Sequence, residues 1–146
     1  MTDYPVVSQD LAVALDGVLA RPGAVGEGTP AADTTLTAGV TTLVSLPVTA
    51  VPYKRLVVAF AMVRINNQSV PVGGGSLELT CVGGAKTNHF VAQLGTTAGN
   101  RSCPISGVPA LLPANTATTL TLTGTGAGIT VVKAWTALRY FTIPCM

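Results

Sequence analysis

The sequence predicts an all-β chain: an antiparallel β-sandwich, jelly-roll-like, with an N-terminal arm. Three observations carry that expectation. Apolar and β-branched residues alternate with polar ones, turn formers recur about every ten positions, and Thr makes up about one residue in seven. Strands of that length, reversed at that spacing, pack as two sheets whose inner faces bury each other.

Residues 1–33 read as arm and linker, and residues 34–146 as the sandwich domain. The arm has little Thr, most of the acids, and the Gly- and Pro-rich stretch from Arg21 to Pro30. Within it Ser8 caps a helix with Leu11, Leu15, Val18 and Leu19 on one side, or Asp16-Gly17 turns a hairpin; both forms stay open. Neither is long enough to be stable alone, so the arm docks on its own sandwich or on a neighbour, or stays mobile. The Pro- and Gly-rich connection suits a reach to a neighbouring subunit.

Strands are expected at 34–38, 40–49, 55–65, 76–82, 88–94, 117–123 and 129–143, the last as two strands or one long bent one. Pro47, Pro52, Asn66-Asn67-Gln68, Gly73-Gly74-Gly75, Gly83-Gly84, Gly99-Asn100, Pro104, Pro109, Pro113 and the run Gly124 to Gly128 punctuate them. Alternation sets the core faces. Leu77, Leu79 and Cys81 oppose Ser76, Glu78 and Thr80; Phe90, Ala92 and Leu94 oppose His89 and Gln93; Leu120 and Leu122 oppose Thr119, Thr121 and Thr123.

Segment 55–65 is different, because Leu56, Val58, Phe60 and Met62 alternate with Val57, Ala59, Ala61 and Val63 and both faces are apolar. Such a strand is central and covered on both sides, by the arm or by a neighbouring subunit. The sequence places self-association through or near Val57, Ala59, Ala61 and Val63, with Leu11, Leu15 and Val18 of the arm as further interface residues. Trp135, Tyr140 and Phe141 are expected to pack in the core or at the sandwich edge.

No chemistry is written in local motifs. The one histidine, His89, lies in a strand, and neither a nucleophile elbow nor a Cys-His signature accompanies it. Cys81, Cys103 and Cys145 match no zinc or redox spacing, and Cys81 reads as a small core residue. Acids outside the arm are too sparse for a metal cage or a paired-carboxylate hydrolase. Gly73-Gly74-Gly75 lacks the Lys-Ser or Lys-Thr of a phosphate loop. The expectation is a protein that is not an enzyme and has no cofactor and no metal.

Charged residues are 10% of the chain against about 25% in an ordinary domain, and the formal net charge is +2. The eight basic residues are scattered and not interleaved with aromatics, which argues against a nucleic-acid partner. Mean hydropathy is +0.53, yet every apolar run is broken before about 18 residues, so no membrane span is expected. Met-Thr-Asp-Tyr-Pro does not read as an export signal, and the three cysteines suit a reducing compartment. Thr standing where charge would be keeps a face polar but cheap to desolvate, which suits coverage by other subunits.

Three stretches resemble the small β-sandwich proteins of tailed-bacteriophage virions, in particular head decoration or cement proteins. They are the run from Thr34 to Leu46, the run from Ala117 to Thr130, and the closing Ala-Trp-Thr-Ala-Leu-Arg-Tyr-Phe-Thr-Ile from Ala134. The resemblance spans about residues 34–143. It implies a jelly-roll-like subunit, a dimer or trimer, that sits across capsomer junctions of the major capsid protein and stabilises the shell through many shallow contacts. It also implies a place on the capsid surface of a virion assembled in the host bacterial cytoplasm. Two alternatives stand beside it: a phage tail or head-fibre subunit of the same composition, and a carbohydrate-binding sandwich using Asn66, Asn67 or Trp135.

Overall fold

Long alternating runs form strands, and the strands pair into two antiparallel sheets packed face to face. The computed structural model describes residues 21, 23–67, 74–91 and 99–145. In chain order the strands are β1 (Val25–Gly28), β2 (Thr34–Thr35), β3 (Thr41–Val48), β4 (Arg55–Asn67), β5 (Gly75–Thr80), β6 (Lys86–Val91), β7 (Gly99–Ser106), β8 (Ala110–Leu112), β9 (Thr118–Thr125), β10 (Thr130–Val131) and β11 (Ala137–Pro144). Short 3-10 turns occupy Val82–Gly84 and Lys133–Trp135.

The larger sheet is built on β4. One side of β4 pairs with β11 and then β10; the other pairs with β8 and then β7. Both flanking ladders are interrupted, and each gap is bridged. The Gly107 amide donates to the Ala59 carbonyl at 2.9 Å between β7 and β8. Between β10 and β11, the Val132 amide donates to the Arg64 carbonyl at 2.8 Å, and the buried Thr136 hydroxyl accepts from the Arg64 amide at 3.1 Å. These bonds give the Ala59 carbonyl and both backbone groups of Arg64 partners where the ladders lapse.

The smaller sheet runs β3-β9-β5-β6. A register shift between Thr42 and Val44 lets both Leu43 and Val44 be buried, as a β-bulge does when it re-aims one side chain. Pro47 sits inside β3, tolerated because β3 is an edge strand. Between the sheets lie Val57, Ala59, Ala61, Val63 and Ile65 of β4 against Leu77, Leu79, Leu120 and Leu122, none more than 3% exposed. Arg55 closes one end of this core. Its guanidinium donates to the Thr49 carbonyl, while its Nε has no partner among the described residues.

The all-β sandwich is the predicted class, and the alternation read in β5 and β9 holds residue by residue. Other expectations change. β1 joins the larger sheet beside β11 although it falls within residues 1–33, which read as arm from sequence. β7 and β8 occupy a stretch read as punctuation, because β7 is polar and carries Pro104 at an edge position. Segment 129–143 is two strands separated by the Lys133–Trp135 turn. In β6 the phase is reversed: His89 pairs with Leu77 and Phe90 with Ser76, so His89 shares the core-facing side. Ala92 and Leu94 lie outside the described residues.

Candidate functional site

Because neighbours across an antiparallel ladder point the same way, the register alone assembles the outer face of the larger sheet. Val25, Phe141 and Val58 form one row across β1, β11 and β4, and Ile143, Leu56 and Leu111 form another across β11, β4 and β8. Phe60 stands beside Arg139 and Ser106, and Met62 beside Ala137 and Pro104. Val25 is 83% exposed and Leu111 60%, with Phe60, Met62, Phe141 and Ile143 all substantially exposed. Those six side chains present on the order of 500 Å² of apolar surface, the size at which a patch on one chain marks an interaction site.

An ion pair crosses this face. Arg139 meets Glu27 through Nε to Oε2 at 3.1 Å and donates from Nη2 to Oε1 at 3.1 Å, on cross-strand partners of β11 and β1. Hydrogen bonding to Glu27, then its charge, holds the Arg139 guanidinium above its ordinary pKa. Two shallow hollows flank the pair. One of about 350 Å³ is lined by Val25, Phe60 and Phe141, the other of about 340 Å³ by Thr29, Met62 and Trp135.

The β1 edge keeps the face continuous for a local reason. In Val-Gly-Glu-Gly, the outward positions carry Val25 and Glu27 while the inward ones are glycines. A Cβ on Gly26 would come within 2.3 Å of the Tyr140 ring, and one on Gly28 within 2.8 Å of Val44 Cγ1. Only glycine lets β1 close over β3 while its other side faces out.

The β4 residues expected at an interface lie inside the sandwich instead. Val57, Ala59, Ala61 and Val63 are core residues of their own chain, 0–3% exposed, because the smaller sheet covers them. The outward side of the strand carries Leu56 and Val58, half-buried, and Phe60 and Met62, exposed. Leu11, Leu15 and Val18 lie outside the described residues. Tyr140 is buried as expected, but Phe141 faces outward and Trp135 is 72% exposed. Val25, Leu111 and Ile143 are not among the residues the sequence singles out; the signal present for β11 is that Phe141 and Ile143 alternate with Leu138 and Tyr140, leaving apolar residues on both sides of the strand.

Reactive groups are not gathered. Cys81 and Cys103 are buried and unpaired, and burial pushes both thiols up, offset in part by the Val108 backbone for Cys81 and by Arg101 for Cys103. Among the described residues, no three His, Cys, Asp or Glu side chains group as a metal site. Asn66 is held in the ladder between Thr130 and Asn100, not on a free loop. No described helix is long and apolar enough to cross a membrane.

No protein-family model and no curated protein matches the sequence. Among solved structures the chain is similar to the VP2 subviral particle of infectious bursal disease virus, at 16% identity and TM-score 0.42, covering 84% of this chain and 33% of that one. It is also similar to the structure of the Gx strain of the same virus, at 19% identity and TM-score 0.41, over 85% of this chain and 33% of that one. The chain thus spans about a third of the length of these proteins.

Proposed function

We propose that this chain is a non-enzymatic structural subunit of a virus capsid, and specifically a bacteriophage head decoration protein that bridges capsomers and stabilises the shell. One observation carries the reading: the outer face of the larger sheet is apolar across four strands and nothing in its own described chain covers it. Exposing that surface to water is unfavourable, and covering it against neighbours recovers the hydrophobic contribution once per copy. The scarcity of charge fits, because few ionised groups must be desolvated in the process. A subunit that binds an assembled lattice and not its separated parts adds stability to the lattice by mass action. Its partners in this reading are the major capsid protein and further copies of itself, on a virion assembled in the bacterial cytoplasm.

The test is quantitative mass spectrometry and labelled electron microscopy of the parent particles, followed by rebinding of purified chain to stripped shells. Hundreds of copies on the head, and a raised shell-disruption temperature on rebinding, are expected. A few copies at one vertex or on the tail would replace decoration by a tail or fibre role; absence from particles would overturn the reading.

A second reading has one observation in its favour. Trp135 stands exposed at the hollow that also holds Glu27 and Arg139, an aromatic beside charged groups of the kind sugars stack on. Glycan-array binding lost in Trp135→Ala would support a carbohydrate-binding role.

A further inference from the structure

We infer that the two hollows flanking the Arg139–Glu27 pair are adjacent subsites for one neutral oligosaccharide of at least two linked pyranose rings. The inference deepens the carbohydrate reading and rests on it, not on the capsid reading. Three features of the face lead to it.

The first is how Trp135, the one tryptophan of the chain, is presented. Its side chain stands in water, 72% exposed, yet the turn that carries it is fixed. The Lys133 amide donates to Asp33 Oδ1 at 2.8 Å, Lys133 Nζ to the Ala31 carbonyl at 2.9 Å, and the Thr136 amide to the Lys133 carbonyl at 3.1 Å. An exposed indole on a pinned backbone is a stacking platform for the C–H face of a sugar ring, and its backbone loses little further freedom when a ring settles on it.

The second is the chemistry of the wall that the hollows share. Glu27 and Arg139 line both of them. Nε and Nη2 of Arg139 are directed at the Glu27 carboxylate, but the two side chains stay 53% and 50% exposed. A guanidinium has about five N–H donors and a carboxylate about four lone-pair sites, so the pair keeps donors and acceptors that meet water. The β1–β11 ladder holds these side by side. A sugar hydroxyl both donates and accepts, so neighbouring hydroxyls on a ring match a fixed donor beside a fixed acceptor. The pair has no net charge, which suits a neutral sugar over an acidic one.

Spacing is the third. Ala137, Arg139 and Phe141 follow one another on the outward side of β11, so the hollow at Trp135 and the hollow at Phe141 are centred about 7 Å apart. Two linked pyranose rings bridge such a span. Each hollow, at about 340 and 350 Å³, lies at the small end of ligand pockets and has room for one ring. One ring stacks on Trp135 beside Met62, the other on Phe60 and Phe141, and the linkage crosses the ion pair.

The experiment uses the full chain, purified and free of shells, because a neighbour covering Phe60 would displace the second ring. A glycan array of neutral and acidic oligosaccharides selects the leading disaccharide, which is then titrated beside its component monosaccharides. Trp135 supplies the fluorescence signal. The disaccharide is expected to shift its emission and to bind at least about tenfold more tightly than either single ring. Calorimetry reads the variants, with thermal midpoints confirming that each is folded: Trp135→Ala should abolish binding, Arg139→Met should weaken it about tenfold, and Phe141→Ala should lower the disaccharide to single-ring affinity. Phe60→Ala replaces Phe141→Ala if the latter fails to fold. Trp135-dependent binding that is equal for one ring and two, or indifferent to the loss of Phe141, would overturn this inference alone, as would a preference for uronic or sialic acids. An array with no glycan bound, or binding that survives Trp135→Ala, would sink the carbohydrate reading as well.

Discussion

The two outer faces of this sandwich come from the same composition and have opposite character. On the smaller sheet the outward rows are Thr42, Thr123, Glu78 and Asn88, then Ser45, Thr121, Thr80 and Lys86, with Lys86 and Glu78 paired at 2.9 Å. On the larger sheet they are Val25, Phe141 and Val58, then Ile143, Leu56 and Leu111. A hydroxyl-bearing face stays hydrated without strong charge; an aliphatic and aromatic face does not. The difference teaches that low charge alone does not locate an interface. The Thr-bearing face is hydrated without cover, so the apolar face is where neighbouring subunits are expected.

The largest effect that sharpens this contrast comes from adjacent residues of β4. Ala59→Glu places a charge in the core and is expected to cost about 4 kcal/mol or more, read as loss of the cooperative thermal transition. Phe60→Glu should leave stability within about 1 kcal/mol while weakening self-association, and Thr121→Glu on the opposite face should change neither. Equal losses from Phe60→Glu and Thr121→Glu would erase the distinction between the faces.

Next in size is Gly26→Val, which drives a side chain into the Tyr140 ring and should destabilise by roughly 1–3 kcal/mol in chemical denaturation. If β1 peels away instead, self-association will weaken with it, showing that the edge strand completes the apolar face.

The core shared by both faces predicts a pH effect. Burial raises the folded-state pKa of Cys81 and Cys103 above 9.0, so the unfolded chain ionises its thiols first. Their stabilising contribution is whole below pH 9.0 and is lost as pH rises through the folded-state values. Thermal midpoints are expected to fall above pH 9, less steeply in Cys81→Ala. The smallest effect is that of Glu27→Gln, which breaks an exposed pair: no measurable change in thermal midpoint, but a changed salt dependence of self-association.

Legibility differed by element. β5 and β9 were readable because one apolar face alternates with one polar face, and a period of two fixes which side is buried. β4 was readable as two-sided, yet nothing in Leu-Val-Val-Ala-Phe-Ala-Met-Val states which side the second sheet takes. Leu56 and Phe60 are as apolar as Val57 and Ala59. β1, β7 and β8 were not readable, since short or polar segments become strands only when a long neighbour supplies the ladder. The face followed the same logic: Phe60 and Phe141 were visible as apolar, but their meeting with Val25 and Leu111 required the register.

By itself, the amino-acid sequence determined that this chain is an all-β sandwich, that β5 and β9 turn Leu77, Leu79, Leu120 and Leu122 inward, and that few charges stand on its surface. Those are consequences of local alternation and composition. Only the tertiary structure decided that Val57, Ala59, Ala61 and Val63 are core while Phe60 and Met62 are surface, and that Val25, Phe141 and Leu111 join them on one face. The reason is that a strand apolar on both sides has two equivalent orientations by its own energetics, and long-range packing against the second sheet breaks the tie.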